Sequence, residues 1–121
     1  MTNTPDAETP GGLRWSGRRL WEATTGEFEL SEHETGLLLQ ACRTIDALDA
    51  LQVRFDADGP MVESPQGLKA HPALPELRQQ RIALARLLAA LGLPTGVVED
   101  HDQKGPQRRA VRGVYAIGGQ S

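Results

Sequence analysis

"SEHETGLLLQACRTIDALDALQVRF", residues 31–55, decides the fold. Its apolar positions Leu38, Ala41, Cys42, Ile45, Leu48 and Phe55 recur at helical steps, and Leu37 and Leu51 broaden the stripe. This period gathers side chains on one face of an α-helix. The start is equally clear: with Ser31 at the N-cap and Glu34 three residues on, each side chain can satisfy the other's backbone N–H. Glu32 and Glu34 also place negative charge on the positive end of the helix dipole. A helix of about 24 residues fits, roughly 36 Å long at 1.5 Å per residue. Asp58-Gly59-Pro60 is turn chemistry and stops it, and Met61-Val62 offers at most a short extended piece.

A second long helix is predicted to begin near Leu74, with Pro75 in the first turn, where its missing N–H costs nothing. Leu77, Leu84, Leu88 and Leu91 form one line, Ile82, Ala85 and Leu87 widen it, and Gly92-Leu93-Pro94 ends it. The stretch "IALARLLAALGL", residues 82–93, is apolar around more than half its circumference. One partner helix covers only one face, so the surplus predicts a third packing surface or self-association. The residues expected to carry self-association are Leu38, Ile45, Leu48, Leu84, Leu87, Leu88 and Leu91. Upstream, a short helix over residues 18–24 is expected to follow Ser16 as N-cap and to end near Gly26. The expected architecture is therefore all-α: two long antiparallel helices as a hairpin core, plus a short N-terminal helix, in a ring-forming oligomer. Residues 1–14 read as a disordered arm, 15–93 as the helical core and oligomerisation domain, and 94–121 as an extended C-terminal tail.

Composition agrees with helices. Apolar residues make up 39% of the 121, and aromatics only 4%, so Leu and Ala must form the core and a sheet would lack its favoured residues. The lone cysteine, Cys42, excludes an internal disulfide. The polar, acidic N-terminus resembles no signal peptide, and no apolar run approaches the roughly 20 residues of a membrane span. These features suit a soluble intracellular protein. A net charge of −3 argues against a wholly basic nucleic-acid-binding body, but positive charge is clustered. It gathers at Arg14, Arg18 and Arg19, at Arg78, Arg81 and Arg86, and at Lys104, Arg108, Arg109 and Arg112.

The chain has no P-loop, dinucleotide fingerprint, Cys-x-x-Cys or His-Glu-x-x-His. His33 in "SEHETG" reads as an exposed first-turn histidine, because no second ligand stands at a sensible spacing. His101 in "EDHDQ" reads as part of a solvated loop. Cys42 lies on the apolar stripe and reads as a small core residue, with no paired histidine to activate it. His71 precedes a proline, which biases it to extended backbone, and no partner ligand is visible. No metal or cofactor is expected. Trp15 and Trp21 are interleaved with Arg14, Arg18 and Arg19. The tryptophans are expected to dock their helix on the leucine hairpin, while the arginines either contact phosphates or stay solvated. A flexible basic arm in the tail would suit duplex backbone binding.

Residues 17–93 resemble the small subunit of a tailed-phage or prophage terminase. The resemblance rests on a Gly-x-x-Leu-Trp start at Gly17, Leu20 and Trp21; on a Lys-x-His-Pro-Ala connector at Lys69, His71, Pro72 and Ala73, preceded by Gly67; and on a Leu-Gly-Leu close at Leu91, Gly92 and Leu93. Members of that family often continue with a Pro and then an Arg, whereas this chain runs Pro94-Thr95-Gly96-Val97-Val98-Glu99. The resemblance implies a non-enzymatic packaging protein of the host bacterial cytoplasm. It would assemble as a ring, bind double-stranded viral DNA and present it to a large subunit carrying ATPase and nuclease activities. On that reading Arg14, Arg18, Arg19, Lys69, Arg108, Arg109 and Arg112 are the expected DNA contacts. Val111, Val114, Tyr115 and Ile117, in "VRGVYAIGG", are the expected docking segment for the large subunit. A small helical DNA-binding regulator or interaction module with no packaging role is the alternative.

Overall fold

The computed structural model describes residues 8–93 and 105–109. Three helices, α1 (Trp15–Glu27), α2 (Glu32–Asp58) and α3 (Ala73–Leu91), are accompanied by four short strands. The strands are β1 (Phe28–Glu29), β2 (Met61–Ser64), β3 (Gly67–Ala70) and β4 (Gln107–Arg108). The expectation of an all-α fold is therefore corrected: two small antiparallel sheets, β1–β4 and β2–β3, join the helices.

The two long helices lie where the apolar period puts them. The Ser31 hydroxyl accepts from the Glu34 N–H at 3.1 Å, and the Glu34 carboxylate accepts from the Ser31 N–H at 2.9 Å, closing both halves of the capping box. The helix α3 ends at Gly92, which takes φ +81° and ψ 23°, a left-handed conformation that favours a residue without a Cβ.

Between the two helices the connector is a β-hairpin, with Met61 opposite Ala70 and Ser64 opposite Gly67. Pro65 presets the first corner, Gly67 takes φ +106°, and the Ser64 hydroxyl donates to the Gly67 carbonyl at 2.6 Å. The hairpin escapes a search for alternating apolar residues because β3 is exposed along its whole length. Its pairing comes from turn chemistry, with no buried face to leave a pattern.

The core joins Leu13, Trp21, Leu38, Cys42 and Leu91, with Leu20, Leu30, Leu37, Leu39 and Leu93 packed around it. Leu38 near the start of α2 thus meets Leu91 at the end of α3, as antiparallel packing requires. Leu13, assigned by its sequence to the N-terminal arm, is buried here, while residues 1–7 of that arm lie outside the described residues. Part of the predicted extended tail is also ordered, because β4 pairs with β1, Phe28 opposite Arg108 and Glu29 opposite Gln107. Trp21 Nε1 is buried without a hydrogen-bond partner, so the indole is held by its apolar area alone.

The start of α1 shows how the fold is assembled. Its N-cap is Arg14, earlier than the Ser16 cap its sequence suggests, and Arg14 makes no side-chain cap. The cap comes from α2: the Asp46 carboxylate, itself buried, accepts from the Arg14 N–H at 2.6 Å and the Gly17 N–H at 2.7 Å. One turn further along α2, Asp49 accepts from the Ser16 hydroxyl. Gly17 is the point of closest approach. A Cβ there would lie 2.7 Å from the Cys42 carbonyl oxygen and 2.8 Å from the Asp46 Cγ, nearer than side chains tolerate. Cys42 has no exposed surface, and burial, reinforced by the Asp46 charge, pushes its thiol up to about 12. The protonated, enclosed sulfur has no nucleophilic character at neutral pH.

At the other end of α2, His71 closes the junction with α3. The Ala73 N–H, which can only donate, gives its hydrogen to His71 Nδ1 at 2.9 Å, so the ring proton sits on Nε2 and is donated to Asp58 at 2.8 Å. The ring also meets Phe55 edge-on, with centroids 5.7 Å apart. His71 is thus a cap for α3, where Pro72 at the N-cap position offers no side-chain acceptor. The hydrogen bond from His71, assisted by Arg54, holds the Asp58 carboxyl below its ordinary value of 3.8 despite an opposing desolvation cost. A carboxyl depressed in the folded state contributes stability that is fully present above that ordinary value and is lost as pH falls through the folded one. Asp58→Asn is therefore expected to shallow the acid limb of a stability–pH curve below about pH 4 and to leave its slope between pH 5 and 7 unchanged. Equal acid slopes for the two proteins would show that the pairing adds nothing.

Candidate nucleic-acid interface

The two tryptophans of α1 have opposite environments. Trp21 is 3% exposed and docks the helix, as expected, whereas Trp15 is 68% exposed. The Arg19 guanidinium lies over the Trp15 ring, 4.6 Å from its centroid, a cation–π contact one helical turn apart. Arg14 and Arg18 are exposed beside this pair, and Arg18 Nη2 donates to the Leu13 carbonyl at 3.0 Å. The first two turns of α1 thus display three guanidiniums and an indole face. Among the described residues none of the three arginines pairs with a carboxylate, in contrast to Arg54, Arg108 and Arg109.

Their position carries an electrostatic cost. A helix N-terminus is partially positive and prefers anions, yet the first turn of α1 holds no acidic residue and its last turn no basic one. The exposed charges of α1 run Arg14, Arg18, Arg19 and then Glu22 and Glu27, the reverse of what the dipole favours. Asp46 offsets the cost at the N-terminus from the buried side and leaves the guanidiniums outward. Such an arrangement can bind an anion: guanidiniums take phosphate oxygens bidentately, and an exposed indole can stack on a base or sugar.

The remaining predicted contacts are dispersed. Lys69 lies exposed on β3, beyond the C-terminal end of α2; that end is twelve residues from Asp46, about 18 Å along the helix. Arg108 and Arg109 sit at the opposite end of α1, whose thirteen residues span about 20 Å. Both are already engaged. Arg108 pairs with Glu27 and lies over the Phe28 ring, 5.0 Å from its centroid. Arg109 Nε donates to the Thr25 carbonyl at 2.6 Å, and its backbone N–H to the Glu27 carbonyl at 2.7 Å. Arg112 and Lys104 lie outside the described residues, as do His101 and the docking segment with Val111, Val114, Tyr115 and Ile117.

Of the residues assigned to self-association, Leu38 and Leu91 are enclosed in the chain's own core and have no surface to offer a second copy. Ile45, Leu48, Leu84, Leu87 and Leu88 are half-buried, and Ile82 stands exposed beside them on α3. The apolar surplus of α3 meets α1 only at its end, where Leu91 joins Trp21 in the core. His33 is exposed in the first turn of α2, and no group of three metal-ligating side chains converges among the described residues. No helix among them is long and apolar enough to cross a membrane.

Sequence reasoning missed Asp46, Asp58 and the capping role of His71. The local pattern held one usable signal for His71: Pro72 cannot cap α3, so a neighbour must. Comparison with family models, with curated proteins and with solved structures finds no match to this chain.

Proposed function

We propose that this chain is a non-catalytic DNA-binding adaptor, the small subunit of a phage or prophage terminase. In this role it binds double-stranded viral DNA, assembles with copies of itself in a ring and works beside a separate large ATPase and nuclease subunit in the host bacterial cytoplasm. The observation that carries the DNA-binding part is the cluster of Arg14, Arg18 and Arg19 around exposed Trp15, held outward against the helix dipole and free of carboxylate partners among the described residues. A ring would repeat this modest patch into a continuous positive belt, and the phosphate contacts would add through counterion release. Lys69 and the tail arginines are secondary contacts on this reading. The packaging part rests on the resemblance; of its motif residues, Gly17 permits helix approach, Trp21 fills the core, His71 caps α3 and Gly92 ends it.

The test is duplex binding by the Arg14→Ala, Arg18→Ala, Arg19→Ala triple variant across a salt series. Losing three phosphate contacts is expected to reduce the slope of log K against log salt by about 2.7 and to weaken binding at low salt by at least about tenfold. Unchanged affinity and slope would remove α1 from the interface. Stimulation of the ATPase of a large packaging subunit separates the terminase reading from that of a stand-alone regulator.

A further inference from the structure

The C-terminal end of α1 presents the mirror image of its start. It has no basic residue of its own in the last turn, and the helix runs past Gly26 to Glu27 before Phe28 turns extended. The Phe28 N–H donates to the Thr24 carbonyl, and the Thr25 and Glu27 carbonyls stand beside it at the negative end of the dipole. Glu27 and Glu29 add two carboxylates, and Phe28 adds an aromatic face. A short extended dibasic segment suits this arrangement: a strand edge for its backbone, carbonyls and carboxylates for its guanidiniums.

We infer that this end of α1 is a docking site for a dibasic extended segment, that the chain's own Gln107-Arg108-Arg109 occupies it, and that occupancy withholds both arginines from any polyanion. Every part of the site is engaged. β4 pairs with β1; Arg108 meets the Glu27 carboxylate and the Phe28 ring; Arg109 takes the Thr25 and Glu27 carbonyls and approaches Glu29 at 4.0 Å. The two ion pairs are solvent-accessible, with Glu27 and Glu29 each more than half exposed, so salt and competing phosphates reach them. The contact is an autoinhibitory latch: the tail's guanidiniums are either on Glu27 and Glu29 or on a polyanion. The inference rests on the DNA-binding reading only for the identity of that polyanion.

Two measurements on the full chain test it, neither requiring that DNA be the ligand. The first is limited trypsin digestion with the cut sites identified by mass. Glu27→Gln with Glu29→Gln is expected to speed cleavage after Arg108 and Arg109 on the order of 3- to 10-fold, because cleavage follows the open population. Equal cleavage of variant and wild type would overturn the latch. The second is the salt needed to elute each protein from heparin, compared across a double-mutant cycle. The glutamine pair is expected to raise elution salt with Arg108 and Arg109 present, and to raise it far less in the Arg108→Ala, Arg109→Ala background. An equal gain in both backgrounds would mean that only net charge had changed, and would also overturn it. Failure of the α1 triple variant to alter duplex binding would count against the DNA reading and leave both results standing.

Discussion

Asp46→Ala is expected to destabilise the protein by about 3 kcal/mol, seen as a fall of about 10–20 °C in Tm by circular dichroism. Asp46 is the only side chain that caps the start of α1 among the described residues, and it accepts two backbone N–H groups as a carboxylate. Hydrogen bonds to a charged acceptor are worth more than neutral ones, and the Gly17 N–H left behind is buried. Gly17→Ala attacks the same contact from the other side. Its methyl group would press on the Cys42 carbonyl and the Asp46 carboxylate, so α1 must move off α2 at a cost of about 2–4 kcal/mol. Because both changes break one contact, the double variant is expected to lose clearly less than the sum of the two single losses. Additive losses would show that the Gly17 approach and the Asp46 cap are independent. Asp46→Asn should retain roughly half the loss, since an amide keeps one acceptor and turns a donor toward the second N–H.

The second large effect is expected at His71, where alanine should cost about 2–4 kcal/mol in chemical denaturation. Three interactions disappear at once: the cap on the Ala73 N–H, the hydrogen bond to Asp58 and the edge contact with Phe55. His71 is buried, so the truncation also leaves a cavity between α2 and α3. His71→Asn separates the terms, because an amide oxygen can cap Ala73 yet cannot reach Asp58 or meet Phe55 as the ring does. A loss for asparagine about half that for alanine supports capping as a principal role. If both variants unfold at the wild-type denaturant concentration, His71 is no clamp.

Much of the architecture was legible because its signals are local. The spacing of Leu38, Ala41 and Cys42, the Ser31–Glu34 capping box and the left-handed Gly92 each act within about one helical turn, and α2 and α3 have the form these residues dictate. The candidate interface was only partly legible. Interleaved arginines and tryptophans marked α1, but an indole carries no sign of which side of its helix will be covered. Only the packing of α1 on α2 buries Trp21 and leaves Trp15 beside Arg19. Tail arginines that read as free charge were found paired for the same reason, since Glu27 lies 81 residues from Arg108.

By itself the sequence determined two long amphipathic helices, the capping box that starts α2, the glycine that ends α3 and a shortage of any catalytic motif. Tertiary structure decided both ends of α1, which has no side-chain N-cap and no basic residue in its last turn. Its start is completed by Asp46, 29 residues beyond Gly17, and its end by Arg109, 84 residues beyond Thr25. The physical reason is common to these cases: a helix end or strand edge needs donors and acceptors of the right sign, and it accepts them from any part of the chain that packing brings within 3 Å or so.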